Sequence, residues 1–158
     1  MSLDVLIRPA TLADIPALLR HRRGMYEDMG YADPGQMSAM VASCEPYLAI
    51  ALTNGTLFGW LACMREKVVA GGVVLVSPWP SHPYDGQCRR ATILNMYTDP
   101  EFRRRGIARR LMQTMIDWCR NEGFVHVTLH ASDRGRPLYE GLGFESTNEM
   151  RLDLRKSS

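Results

Sequence analysis

Apolar residues recur along this chain with two periods, and the switch between them outlines its elements. Ile7-Arg8-Pro9-Ala10 reads as the end of a first strand. Thr11 and Asp14 then resemble a capping pair, and Pro16 suits a first helical turn. Leu12, Ile15, Leu18, Leu19 and Met25 keep helical spacing as far as Gly30. A turn at Asp33-Pro34-Gly35 leads to a short helix over 36–43. Tyr47–Thr53 and Leu57–Arg65 flank Asn54-Gly55, a strong hairpin signal, so both runs are predicted strands, and Lys67–Val76 supplies a third. Three prolines make 77–86 a loop. Arg90–Thr98 is again a strand.

Beyond it, Ile107, Leu111, Met112, Met115, Ile116 and Cys119 form one apolar helix face, with Arg109, Arg110, Gln113, Asp117 and Arg120 on the other, and Gly123 stops the helix. Val125–Ala131 alternates as a strand, Arg136–Leu142 is a short helix, and Phe144–Leu154 a final strand or pair. Antiparallel strands early and β-α-β crossovers late predict an α/β fold: a single mixed, mostly antiparallel sheet flanked by helices. The whole of 1–158 is predicted as one domain, long enough to enclose a core without a staple.

Composition narrows the possibilities. No apolar run approaches the ~18 residues of a membrane helix, and MSLDVLIRPA lacks the pattern of a signal peptide. The expectation is therefore a soluble, cytoplasmic protein with no membrane partner. Cys44, Cys63, Cys88 and Cys119 lie far apart without C-x-x-C spacing, so neither a metal site nor a disulfide framework is expected. A net charge of +2 is too small to imply nucleic acid, and the arginine cluster lacks interleaved aromatics, so no nucleic-acid partner is expected either.

The arginines number 17 against two lysines, and five gather at 103–110. There a strand ends near Pro100, an arginine-rich turn follows, and a helix begins near Gly106. The unpaired N–H groups of a helix's first turn suit a phosphate or pyrophosphate. The turn has neither the G-K-S/T of a Walker loop nor the three-glycine dinucleotide spacing.

In two segments the sequence resembles the GCN5-related N-acetyltransferases. Their acyl-CoA loop, Q/R-x-x-G-x-G/A, is matched by Arg103-Arg104-Arg105-Gly106-Ile107-Ala108, and their L-Y-E-x-L-G-F by Leu138-Tyr139-Glu140-Gly141-Leu142-Gly143-Phe144. The opening Ile7-Arg8-Pro9-Ala10-Thr11 is also similar to the start of many members. The resemblance implies an acetyl-CoA-dependent N-acetyltransferase, without metal, acting on a small-molecule or peptide amine by direct transfer in a ternary complex. A homodimer is compatible with it. Loop amides from Arg103 through Arg109 would hold the CoA pyrophosphate. Met96, Tyr97 and Thr98 would offer main-chain groups to the pantetheine arm, and Tyr139 would serve the departing thiolate.

Two positions depart from the family. Ser132 stands where many members have asparagine seven residues before the tyrosine, and would still hydrogen-bond the cofactor with a shorter reach, while Leu94-Asn95-Met96 stands where many have a glutamate that serves as base. The resemblance therefore assigns no base. Glu27, Asp28, His82, Asp85, His130 and Glu149 are candidates, with His126 no more distinctive than its neighbours. Trp79, Tyr84, Tyr26 and Tyr31 could line an acceptor pocket. A CoA-binding module without efficient transfer is the alternative reading.

Overall fold

The computed structural model describes residues 4–156. Its strands are β1 (Val5–Pro9), β2 (Leu57–Met64), β3 (Lys67–Pro78), β4 (Arg89–Thr98) and β5 (Val127–Leu129), paired in chain order. Three of those pairings are antiparallel, and only β4 with β5 is parallel, so the mixed, mostly antiparallel sheet read from the sequence is what forms. Helices α1 (Ile15–Asp28) and α2 (Pro34–Asn54) cover one face, and α3 (Ile107–Asn121) the other. A short α4 (Arg136–Gly141) follows β5.

The amphipathic pattern of α3 explains its place. Ile107, Leu111, Met112, Met115 and Cys119 are buried against Trp60, Ala62, Val74, Ala91 and Ile93 of the sheet. The opposite core joins Leu18 and Leu19 of α1 and Leu48 and Ala51 of α2 to Leu61, Cys63 and Val73. The first loop is fastened by Asp14, whose carboxylate accepts two 2.8 Å bonds from the Arg8 guanidinium and one of 2.8 Å from the Thr11 amide. These donors hold the Asp14 carboxyl down at about 2.

Several expectations need correction. Tyr47–Thr53 is not a strand but the end of α2, which also absorbs the short helix expected over 36–43. Asn54-Gly55 closes that helix instead of a hairpin: Gly55 has φ +73°, and its N–H donates to the Ala51 carbonyl. The strand expected over Val125–Ala131 shrinks to Val127–Leu129, because only those residues find partners on β4. Phe144–Leu154 forms no strand or pair: among the described residues none of it joins the sheet, although Glu149 comes within 3.3 Å of His130, the residue after β5.

His21 is a buried polar group that the sequence does not single out. Its ring packs where a side chain on Gly71 would begin 2.9 Å from Nδ1, and among the described residues that nitrogen has no partner. Burial, then the Arg20 charge, pushes its pKa down to about 4. An unfolded histidine protonates near ~6.5, so between that pH and about 4 the unfolded chain binds more protons and stability falls with falling pH. The expected loss at pH 5 relative to pH 7 is about 2 kcal/mol. Urea midpoints at the two pH values check it, and His21→Leu should flatten the dependence.

Candidate active site

The site begins with a defect in β4. Asn95 and Met96 together oppose the single residue Gly72, between the pairs Val73–Leu94 and Gly71–Tyr97. Asn95 has φ +62°, and its buried side-chain amide donates 3.0 Å to the Leu18 carbonyl of α1. Pairing with β5 ends at Ile93–Leu129, so past that point β4 has no strand on its β5 side among the described residues. Met96 turns its side chain inward, against Gly72 and Met115 of α3. Tyr97 fills the space left by Gly24, with its ring atoms 2.6–2.8 Å from where a side chain there would begin. Met96 and Tyr97 are thus held by their side chains, leaving backbone to line the open edge. The Thr98 carbonyl is already occupied by Arg103 Nε at 2.8 Å.

At the end of this edge the chain enters the arginine turn. Arg103 also binds Asp28 at 2.6 Å, so it locks the turn to α1 and does not reach outward. Arg104 and Gly106 take positive φ, +60° and +77°, which folds the loop so that Gly106 caps α3. A side chain on Gly106 would meet nothing within 4 Å, so the space before the N-terminus of α3 is open. Ile107 points into the core, Ala108 is half-buried, and Arg104, Arg105 and Arg109 are exposed. Among the described residues Arg104 and Arg109 make no hydrogen bond or ion pair, whereas Arg110 donates to the Val5 carbonyl. Free cations beside an uncrowded helix N-terminus fit a pyrophosphate.

Tyr139 lies on α4, half-buried, its ring against Gly135 and edge-on to Phe144 at 6.1 Å. Gly143, at φ +96°, lets the chain turn back so that the Phe144 N–H reaches the Tyr139 carbonyl at 3.0 Å. Burial pushes the phenol pKa up, so it keeps its proton at neutral pH. Ser132 is engaged within its own turn, where its hydroxyl accepts 3.2 Å from the Gly135 amide and its carbonyl 3.0 Å from the Arg136 amide.

Residues 19–144 match the sequence profile of the acetyltransferase (GNAT) family. The chain belongs to the GNAT family. A GCN5-related N-acetyltransferase from Ralstonia eutropha JMP134 superimposes with a TM-score of 0.89 at 32% identity, over 96% of this chain and 99% of that one. A predicted acetyltransferase from Clostridium acetobutylicum, solved with acetyl-CoA, gives 0.86 at 26% identity, over 96% and 97%. Human N-acetyltransferase 8 is 29% identical over 75% of this chain and 50% of its own length. The chain spans about half the length of the curated relatives it matches, or less.

Of the base candidates in this GNAT chain, two have side chains that meet each other. His130 Nε2 lies 3.3 Å from Glu149 Oε1, just beyond the last residue of β5. Arg90 stands over the ring of Trp79, binds Thr128 Oγ1 at 3.2 Å and reaches Glu149 at 3.9 Å. The other candidates are engaged elsewhere. Glu27 pairs with Arg23 and Asp28 with Arg103, while His82 and Asp85 close their own turn. His126 is exposed. Tyr26 and Tyr31 pack on each other at 5.3 Å, and Tyr84 is exposed. A separate cleft of about 740 Å³ runs between Arg20, Lys67, Tyr97, Asp99 and Glu101, but its charges are already joined as Arg20–Asp99 and Lys67–Glu101 pairs of 2.6 Å.

Gly106 tests the loop directly. Gly106→Val puts a β-branched residue at positive φ in the open space and should weaken acetyl-CoA binding tenfold or more, about 1.4 kcal/mol. Gly106→Asn, which tolerates that φ, should lose less, with both read by titration calorimetry.

Proposed function

We propose that this chain transfers the acetyl group of acetyl-CoA to a primary amine, by direct attack while both are bound. The observation that carries the reading is the open edge of β4 past Ile93, leading straight to the uncrowded N-terminus of α3. An extended chain ending in a pyrophosphate fits that path: backbone beside Met96 and the Thr98 amide for the arm, and loop amides from Arg104 to Ile107 with Arg104 and Arg109 for the phosphates. Bound acetyl-CoA supplies an activated carbonyl and a thiolate leaving group.

The remaining work falls to side chains. Tyr139 keeps a proton that can be shared with sulfur as charge develops there. Since a thiol has a pKa near ~8.5 and a phenol near ~10, this is hydrogen bonding more than complete transfer. An alkyl amine with a pKa near ~10.4 is about a thousandth neutral at pH 7, so losing its proton to a base speeds attack. His130, oriented by Glu149 where β4 and β5 part, is the base this geometry favours. No motif places a cysteine to form an acyl-enzyme, and burial pushes the Cys119 thiol up to about 11 and raises that of Cys44. Among the relatives' names, glucosamine 6-phosphate N-acetyltransferase of Trypanosoma brucei brucei, 35% identical over 39% of this chain, points to small amines as the first acceptors to screen.

Turnover of acetyl-CoA with a panel of amino sugars, polyamines and peptide N-termini tests the reading, and no turnover with any of them would overturn it. With an acceptor found, Tyr139→Phe should lower kcat roughly tenfold to a hundredfold with acetyl-CoA affinity unchanged. His130→Phe should slow the reaction more at pH 7 than at pH 9, where more of the amine is neutral unaided. An equal loss at both pH values would remove His130 from the proton path.

A further inference from the structure

Two buried side-chain nitrogens lack a partner among the described residues, and they belong to neighbours on α1: His21 Nδ1 and Arg22 Nε. A helix turns about 100° per residue, so the two side chains point apart. His21 faces the sheet at Gly71. Arg22 faces α2, close enough to Cys44 for its charge to oppose the upward push of burial on that thiol.

Arg22 differs from every other arginine that is not exposed. Arg8, Arg23, Arg90 and Arg103 each have a carboxylate between 2.6 and 3.9 Å away, and Arg89 donates to the Glu122 carbonyl. Arg22 has neither among the described residues. Its Nη2 donates 3.3 Å to the Tyr26 hydroxyl, and its guanidinium carbon lies 5.2 Å from the centroid of that ring. The acids beside it are taken, Glu27 by Arg23 and Asp28 by Arg103, and the exposed Glu45 of α2 forms no ion pair among the described residues. Neutral groups therefore hold this cation in place and leave its charge unanswered. A cation drawn partly out of water without a counter-ion is costly, and an arriving anion removes that cost.

The position of Arg22 relates it to the transfer. Leu18, Arg22 and Tyr26 follow at intervals of four and share one flank of α1. At Leu18 the carbonyl takes the Asn95 amide of the β4 bulge, and at Asp28 the carboxylate takes Arg103 of the arginine turn. Between these two fastenings α1 runs beside the stretch of β4 that faces the donor arm, with Gly24 against Tyr97. Arg22 stands one turn, about 5.4 Å of helix, past the Leu18 contact. An amine that meets the thioester near the bulge brings a group a few bonds away within reach of this guanidinium. We infer that the acceptor carries a carboxylate or a phosphate a few bonds from its amine, and that Arg22 binds it. This rests on the acetyl-transfer reading and narrows its acceptors to anionic amines.

Two matched pairs separate the sources of the anion: glycylglycine against glycylglycinamide, and glucosamine 6-phosphate against glucosamine. In one of them the charged member should have a kcat/KM at least tenfold above its neutral partner. Arg22→Met, which keeps an apolar stem between the helices, should raise KM for the charged member tenfold or more and bring the two members level. Arg22→Lys should keep part of the preference, as a charge without the planar fork. A charged member no better than its neutral partner in both pairs, or a preference that survives Arg22→Met, would overturn the inference. A second readout needs no turnover. With CoA filling the donor site, the nitrogen-15 signal of the buried Arg22 Nε, identified by its loss in Arg22→Lys, should move saturably on adding acetate or inorganic phosphate. A signal that neither anion moves overturns the inference even where amines are acetylated. A signal that moves while no amine is acetylated leaves the anion site standing and overturns the transfer reading instead.

Discussion

A sheet strand has two edges, and β4 keeps one of them open over its second half. That half carries a bulge fastened to α1 by a bond from the Asn95 side-chain amide to the Leu18 carbonyl. The bond lets a non-glycine residue sit at φ +62° in the middle of a strand and fixes two residues against one on β3. Asparagine suits both needs, since it tolerates the left-handed region and brings its own donor. Around that point the neighbours are cut to fit: Gly72 leaves room for Met96, Gly24 for Tyr97, and Gly71 for His21. The bulge, the three glycines and α1 form one packed unit, and the free edge, the arginine turn and the N-terminus of α3 all inherit their positions from it.

The arginines divide by the carboxylates they find. Arg8 is held by Asp14, Arg20 by Asp99 and Arg103 by Asp28, each tying a loop or helix to the sheet. Arg104 and Arg109 have no such carboxylate among the described residues. A cluster that looks uniform in sequence is therefore split into fasteners and free charges. The free ones sit beside unpaired backbone amides, where a helix dipole and side chains attract the same anion.

How much of this could be read from the sequence depends on how local the cause was. The face of α3, the turn into it and the pairing of Thr11 with Asp14 are set by residues within one or two turns, and the structure has them. Asn54-Gly55 misled because one dipeptide satisfies two geometries: Gly55 supplies the same positive φ to a helix end as to a hairpin, and burial of Leu48 and Ala51 against β2 decides between them. Asn95 stood in an apolar run with no mark of its role, since its partner lies 77 residues away. The meeting of His130 with Glu149 was likewise invisible, depending on where the chain goes after α4. The tail's alternation was visible, but a strand exists only when its backbone pairs, and among the described residues the tail meets the end of β5 through the Glu149 side chain and joins no ladder.

The open edge also bears on how the fold survives. Backbone groups of β4 past Ile93 lack the neighbour that would finish the ladder, so this part of the molecule opens at less cost than the paired strands do. A molecule lying along that edge finishes the sheet, and because it binds only the folded chain, its concentration sets how often the fold comes apart. On the proposed path for the donor arm, the thermal midpoint rises with acetyl-CoA concentration, because the bound arm would close the ladder that β5 leaves open.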